Sequence, residues 1–397
     1  ENRWGNFWSV GAAWEVSNEE FMSSMSWLDN LKVRVSYGVT GNADIGNFDA
    51  LALYGFGRDY SGMPGSSPAS VGNPLLTWEG QNTLDVGFDI SLFNRLDATV
   101  TYFNRANTDL LLDRPLSLTT GFASNTQNVG DMLNTGLEVE LNGAIVDGGS
   151  FTWDLGFNIT TLKNEITRLE EPWISGSFRR EEGKSFYEYY MWHWAGVDPA
   201  NGDPLWYTDE TMTTTTNDVS AAERFYTGKS SVPKFFGGAN TRLAYKGFTL
   251  TAQAVVVWDK YIYDEAAFVT HGDGRYTPRS QTLYIYENRW QNPGDEADVP
   301  MFRWGGNQSS NQKDQTRYLY DATHIRLRDV TLSYSLPRTL LSKINVNSLE
   351  IYVKGTNALT WARDENLRFD PEGETDGTVA SMMPQMKTFS IGLNASF

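Results

Sequence analysis

Side chains that alternate in polarity with a period of two place the tightest limit on what this chain can become. At the C-terminus Phe389, Ile391, Leu393, Ala395 and Phe397 share one parity, while Thr388, Ser390, Gly392, Asn394 and Ser396 share the other. Leu84, Val86, Phe88, Ile90 and Leu92 alternate with Asp85, Gly87, Asp89 and Ser91, and Leu31, Val33, Val35, Tyr37 and Val39 with Lys32, Arg34, Ser36 and Gly38. Segments around Leu137–Asn142 and Phe151–Ile159 repeat the pattern. Successive residues of a strand point to opposite faces, so each run offers one apolar and one polar face. Helical stripes of comparable length do not occur. The chain reads as all-β.

Composition narrows the class further. The 397 residues include no Cys, which excludes a disulfide framework, Cys-ligated zinc or iron–sulfur chemistry and a thiol nucleophile. A net charge of −17 argues against a surface for phosphate backbones, so no nucleic-acid partner is expected. Mean hydropathy is −0.43, and apolar stretches such as Ala254–Trp258 fall far short of the ~20 residues of a spanning helix. Transmembrane strands remain open, and 14 Trp, 19 Tyr, 21 Phe and 36 Gly suit them. The opening Glu1-Asn2-Arg3-Trp4 has no initiator Met, basic region or apolar leader, so a processed chain or a fragment is expected.

The periodic runs predict eleven strands, near 7–16, 28–40, 83–92, 95–105, 135–146, 150–162, 234–245, 247–259, 324–336, 347–357 and 386–397. Their connections alternate in length. Short ones fall at Ser17–Trp27, Phe93–Arg95, Asp147–Gly149, Lys246 and Pro337–Val346; long ones are Gly41–Asn82, Ala106–Asn134, Lys163–Pro233, Lys260–Thr323 and Ala358–Gln385. Short turns on one rim and long loops on the other describe an antiparallel transmembrane β-barrel of the outer membrane. Parity demands a three-residue loop Phe93-Asn94-Arg95, which sets Leu92 opposite Leu96 and keeps apolar side chains on one face. In one strand Ile325 and Leu327 are out of phase with Val330, Leu332 and Tyr334; a bulge near Asp329, or a strand rising above the membrane, would account for it. An odd strand count leaves edges unpaired in lipid, so further strands are expected from elsewhere.

Several segments, in this order, resemble the C-terminal half of a SusC/RagA-type TonB-dependent outer-membrane transporter. They are Ser36–Asn42 (SYGVTGN), Asn73–Glu79 (NPLLTWE), Asn134–Glu138 (NTGLE), Gly196–Pro199 with Gly202–Pro204, Val232–Gly238 (VPKFFGG), Ile325–Arg328 (IRLR), Thr331–Pro337 (TLSYSLP), Gly355–Asn357, Asp370–Glu372 (DPE) and the terminal Phe397. The likeness spans essentially the whole chain and departs at Trp8, before Ser9-Val10, where the family usually shows Pro. It implies a 22-stranded barrel of which residues 1–397 would be the second half. Signal peptide, plug domain, TonB-binding segment and first barrel half would lie outside. It further implies a SusD-like lipoprotein over the extracellular mouth, energy delivered through TonB, a lipid bilayer as surroundings, and no cofactor.

Candidate functional residues gather in the long loops. Tyr187, Trp192, His193, Trp194, Trp206 and Tyr207, with Trp290 and Trp304 from the next loop, suit a stacking surface for sugar rings or a contact for a lid protein; the alternative is packing of the loop against neighbouring loops or the interfacial aromatic girdle. Asp198–Pro204 holds oxygen ligands around Gly202, but turn chemistry accounts for that composition without calcium. Acidic pairs such as Glu170/Glu171 and Asp295/Glu296 are neighbours on loops, unlike the carboxylates that flank a bound sugar in glycosidases, and His193, His271 and His324 lack metal-ligand spacing. No catalytic or metal site is expected. Lys32 and Arg34 are expected to face Asp85 and Asp89, and Arg326 and Arg328 to lie near Glu350 and Lys354, forming a polar wall toward a plug. Phe397 resembles the terminal aromatic by which such barrels are recognised for assembly.

The sequence therefore points to a non-enzymatic importer of oligosaccharides or peptides. Alternatives are a passive porin or scaffold, and a soluble glycan-binding β protein whose apolar faces would turn inward on a core.

Overall fold

The fold was analysed in a computed structural model, which describes residues 4–276, 278–306, 313–342, 346–380 and 382–397. Parts of the expected loop Lys260–Thr323 and turn Pro337–Val346 (residues 277, 307–312 and 343–345) lie outside that set. The chain divides into two compact units: one runs to Leu141 and adds Thr160–Trp173 and Arg180–Phe186, and the other comprises Asn142–Ile159, Ile174–Arg179 and Tyr187–Phe397.

In the first unit, β1 (Trp8–Glu15), β2 (Leu28–Asn42), β3 (Glu79–Leu92), β4 (Leu96–Thr108) and the early part of β5 (Asp131–Gly148) follow one another as sheet neighbours. Register places Val33 opposite Phe88, Val35 opposite Val86 and Tyr37 opposite Leu84, so apolar side chains form continuous rows across the strands. The β3–β4 turn is the three-residue loop that parity demands. Leu92 pairs with Leu96, and the Arg95 N–H donates to the Leu92 carbonyl at 3.0 Å. Phe93 and Asn94 both take positive φ, 57° and 50°, which matches the twist of a tight hairpin.

In the second unit, β6 (Phe151–Thr161, as far as Ile159), β7 (Phe235–Tyr245), β8 (Phe248–Trp258), β9 (His324–Ser335), β10 (Ser348–Ala362) and β11 (Thr388–Ser396) form an antiparallel sheet in that order. The phase break in β9 is a bulge at Arg328. Against β8 the pairing steps from Gln253↔Asp329 to Ala254↔Leu327. Against β10 it steps from Leu327↔Leu359 to Asp329↔Thr356, where Asn357 adopts φ 52°. The bulge keeps Ile325 (44% exposed) and Leu332 (49%) on the outward face while Arg326 and Ser333 stay buried.

Eleven strands at the expected places thus make up the sheet path among the described residues. Their apolar faces do not meet in a core. Val35, Phe88, Leu137, Phe157, Leu250, Ile351 and Phe389 are all exposed, and Ile391 is 80% exposed. A soluble sandwich would bury these residues; a wall in contact with hydrocarbon turns them outward. The described residues contain no helix long and apolar enough to cross a membrane.

The long loops are not bare. Leu53–Tyr60 and Met63–Ser70 form a hairpin, Leu111–Pro115 pairs with Ser124–Asn128, and Lys163–Arg168 folds back on the start of β5. In the second unit, Glu188–Trp192 pairs with Arg224–Ser230, Trp194–Val197 with Pro204–Tyr207, and Tyr261–Asp264 with Leu319–Asp321 and, in parallel, Thr378–Val379. The hydrophobic cores lie here. One joins Phe178, Tyr189, Met191, Tyr263, Ala267 and Tyr318; another joins Ile262, Ala322 and Val379.

Candidate loop site and latch

The aromatic loop residues form a layer with an interior and a surface. Tyr187 packs against the larger core and meets the Phe178 ring edge-on at 5.5 Å. Trp206 is fully buried and meets Trp194 edge-on at 5.3 Å, while the Tyr207 N–H donates to the His193 carbonyl at 3.0 Å. Trp290 is buried, with its indole N–H on the Pro199 carbonyl at 3.0 Å. The Arg224 guanidinium lies 3.9 Å over the Trp192 ring. His193 stacks on Phe225 at 3.6 Å, and burial lowers its pKa to about 4, so the ring is neutral at pH 7. Trp304, in contrast, stands 82% exposed. Trp206 and Trp290 therefore support the loop layer from within, Trp304 is its most exposed ring, and Trp194 lines a cavity.

Trp194 opens on a cavity of about 290 Å³. His271, Tyr284, Tyr318 and Tyr320 complete its aromatic lining, and Asp298, Asn366, Arg317 and Arg368 supply its polar groups. Arg317 lies 4.7 Å from the Trp194 ring and 5.5 Å from that of Tyr318; Arg368 lies 5.5 Å from Tyr284. Burial pushes the Tyr318 hydroxyl up to about 12. Burial also lowers the His271 pKa to about 4, and the two guanidiniums push the same way. Of the lining residues only Trp194 is among the contact residues expected from the sequence. The rest lie on three stretches of chain, His271–Asp298, Arg317–Tyr320 and Asn366–Arg368, that meet only in the fold.

The Asp198–Pro204 segment is held as a turn. The Asp198 Oδ1 accepts the Ala200 N–H at 2.9 Å and the Asn201 Oδ1 accepts the Asp203 N–H at 2.8 Å. Of the acidic pairs, Glu170 and Glu171 both bind Arg114, at 3.4 and 2.9 Å.

The charged wall differs from the expected pairing. Arg34 does bind Asp89, at 3.3 Å, and donates to the Thr101 hydroxyl at 2.6 Å. Lys32 stands opposite Asp89 in register, as expected, but its ammonium pairs with Glu15 on β1 at 3.1 Å, and Asp85 stands opposite Ser36. Arg326 and Arg328 do not meet Glu350 and Lys354. Register sets Arg326 opposite Thr360, whereas Glu350 is opposite Ser335, nine residues along the strand (326 to 335) and roughly 30 Å away. Lys354 binds Asp329 instead, at 2.7 Å. The partners of the two arginines come from the loop after β10: Arg326 binds Asp370 at 2.6 Å and Glu372 at 3.1 Å, and Arg328 binds Glu372 at 2.5 Å.

This latch is buried: the side chains of Arg326 and Asp370 are 2% and 5% exposed. Burial acts to raise the Asp370 pKa, but hydrogen bonds from Arg326 and from the N–H groups of Glu372 and Gln385 outweigh it and hold the carboxyl below its usual range. Glu372 behaves likewise: burial is overcome by His324 and by the guanidiniums of Arg326 and Arg328. Beside it, the Lys260 ammonium reaches the Gly373 carbonyl at 3.2 Å, and burial lowers its pKa. The Asp370-Pro371-Glu372 motif is visible in the sequence, but no local pattern marks the arginines it binds.

Strands with hydrocarbon-facing apolar rows, long structured loops and polar inner latches define a transmembrane β-barrel wall. Residues 1–179 match the family model for the TonB dependent receptor-like β-barrel. Over its whole length the chain is 27% identical to the TonB-dependent receptor P3 of Formosa agariphila and 26% identical to the TonB-dependent receptor SusC of Bacteroides thetaiotaomicron. It spans 42% and 40% of those proteins. The RagAB peptide importer in its closed-closed state superposes over 100% of this chain and 44% of the solved one, with a TM-score of 0.86 and 30% identity. Residues 1–179 thus fall in the TonB-dependent receptor β-barrel family, and the chain over its whole length is similar to TonB-dependent receptors, β-barrels of the outer membrane.

Proposed function

We propose that the protein carrying this chain imports oligosaccharides or peptides across the outer membrane, and transports them without a chemical step of its own. Residues 1–397 act as the C-terminal portion of the barrel, complemented by a first half and a plug that couples to TonB. A SusD-like lipoprotein covers the extracellular loops. The observation that carries this reading is the likeness of the whole chain to the RagAB peptide importer at 30% identity. In this reading Trp194 contacts substrate, exposed Trp304 meets the lid, and buried Trp206 and Trp290, with half-buried Tyr187, Trp192, His193 and Tyr207, hold the loops that present them. Lys32, Arg34, Asp85 and Asp89 line the plug-facing wall, and Arg326 and Arg328 anchor the loop above it. Phe397 ends the strand read by the assembly machinery.

The test is uptake of labelled oligosaccharides and peptides by cells expressing the whole protein, with and without a protonophore. Uptake that stops when the proton-motive force is dissipated is expected. Uptake that continues unchanged marks a passive pore instead.

A further inference from the structure

Resting on the import reading, we propose that the cavity under Trp194 is a subsite for a carboxylate carried on a ring-sized, hydroxyl- or amide-bearing group of the transported molecule. The chain as a whole is acidic, at −17. The cavity is not: its lining holds Arg317 and Arg368 against a single carboxylate, Asp298.

Neither guanidinium has an ion-pair partner among the described residues. The Arg317 Nη1 is buried without a hydrogen-bond partner, and so is the His271 Nδ1 beside it. Buried donors are ordinarily satisfied, and a charged one left open in a fold with many acidic residues calls for an acceptor from outside. Arg317 is held against the faces of Trp194 and Tyr318, so its planar fork is fixed before a ligand arrives. A planar fork matches a carboxylate through two parallel N–H···O bonds.

The rest of the lining sets the class. A volume of about 290 Å³ lies at the small end of ligand sites, room for one sugar ring or one amino-acid residue rather than a chain. Asp298, which already accepts the Tyr284 hydroxyl at 3.4 Å, disfavours a dianion and offers oxygen to hydroxyl or N–H donors on the ligand. His271, kept neutral by burial and by the two cations, adds no third positive charge. A single negative charge flanked by donors fits; a uronic-acid residue and a peptide's carboxylate are its two sources.

Calorimetric titration of the whole detergent-purified protein tests this, with digalacturonate against its methyl ester and an acidic tripeptide against its fully amidated form. The carboxylate member of one pair is expected to bind about tenfold tighter or more than its neutral counterpart, and that pair names the source. Arg317→Gln should erase the preference, Arg368→Gln should reduce it, and Leu118→Ala, an exposed change in another loop, should leave it. Should Arg317→Gln fail to fold, Arg368→Gln carries the test. Equal binding of acid and neutral forms, no binding of any probe at about 10 mM, or a preference that survives the arginine substitutions overturns the subsite. Carboxylate-selective binding without energy-dependent uptake would instead leave the subsite standing and refute import.

Discussion

Arg326 of β9 and Asp370, 44 residues later, meet at 2.6 Å in a pocket that excludes water from both. Their union fastens the loop after β10 to the wall. Breaking one side of a buried ion pair strands the other, at a cost of about 3–5 kcal/mol. Arg326→Gln should therefore release the Asp370–Gln385 stretch to protease while the strands stay folded. Limited proteolysis of the protein in detergent reads this directly, and Arg328→Gln, whose side chain is one-third exposed, should do less.

Acid should open the same latch. Asp370 and Glu372 are held below their ordinary values of 3.8 and 4.5, so both bind protons less readily folded than unfolded. Their contribution is complete above those ordinary values and disappears as pH falls through the lower folded ones. Protease sensitivity of the loop should be flat from pH 7 to about 5 and rise sharply below 4. Sensitivity that rises already at pH 6 would point to another group.

The two neutral histidines give a second, separate window. His193 and His271 sit at about 4 against 6.5 unfolded, so loop stability should be full above 6.5 and decline from there through pH 4. Tryptophan-monitored melting of the loops against pH should show that slope. His193→Gln with His271→Gln should flatten it.

Face assignment along β11 is testable with a single charge. Ile391→Lys puts an ammonium on the hydrocarbon side and should cost about 2–4 kcal/mol in lipid vesicles if the site lies near mid-bilayer. Asn394→Lys, on the opposite face, should change stability by within about 0.5 kcal/mol. Denaturant unfolding in vesicles compares them; equal costs would refute the alternation.

At the β3–β4 turn, Asn94 holds φ 50° and its N–H reaches the Asp29 carboxylate. Asn tolerates that conformation, whereas a β-branched residue does not. Asn94→Val should destabilise by about 1–2 kcal/mol, and Asn94→Gly should be nearly neutral. The same vesicle assay separates the two.

The strands were legible because each is long enough to display its period against a uniform neighbour, lipid on one side and a polar interior on the other. Leu92↔Leu96 follows from parity alone, whereas the phase slip between Leu327 and Val330 allows a bulge near Asp329 or a strand rising above the membrane, and the register places a bulge at Arg328. The loop strands were not legible: Trp194–Val197 and Pro204–Tyr207 have four residues each, too few to show alternation. Nor was the latch. Arg326 was matched to charges on the adjacent strand, but register carries Glu350 far down the wall, and the true partner arrives from a loop whose path no local pattern encodes. The cavity fails for the same reason, since Arg317, Arg368 and Trp194 are neighbours only after three separate loops have folded.

Two different media hold this protein together. The wall spends its oily residues on an external phase and keeps none to squeeze against itself, whereas the crown of loops hides Trp206, Tyr189 and Ile262 from water as any soluble protein would. Urea should thus dismantle the crown while vesicles still preserve the strands, and withdrawal of amphiphile should do the reverse. Whatever the crown recognises can then be lost and regained without the molecule ever leaving its membrane.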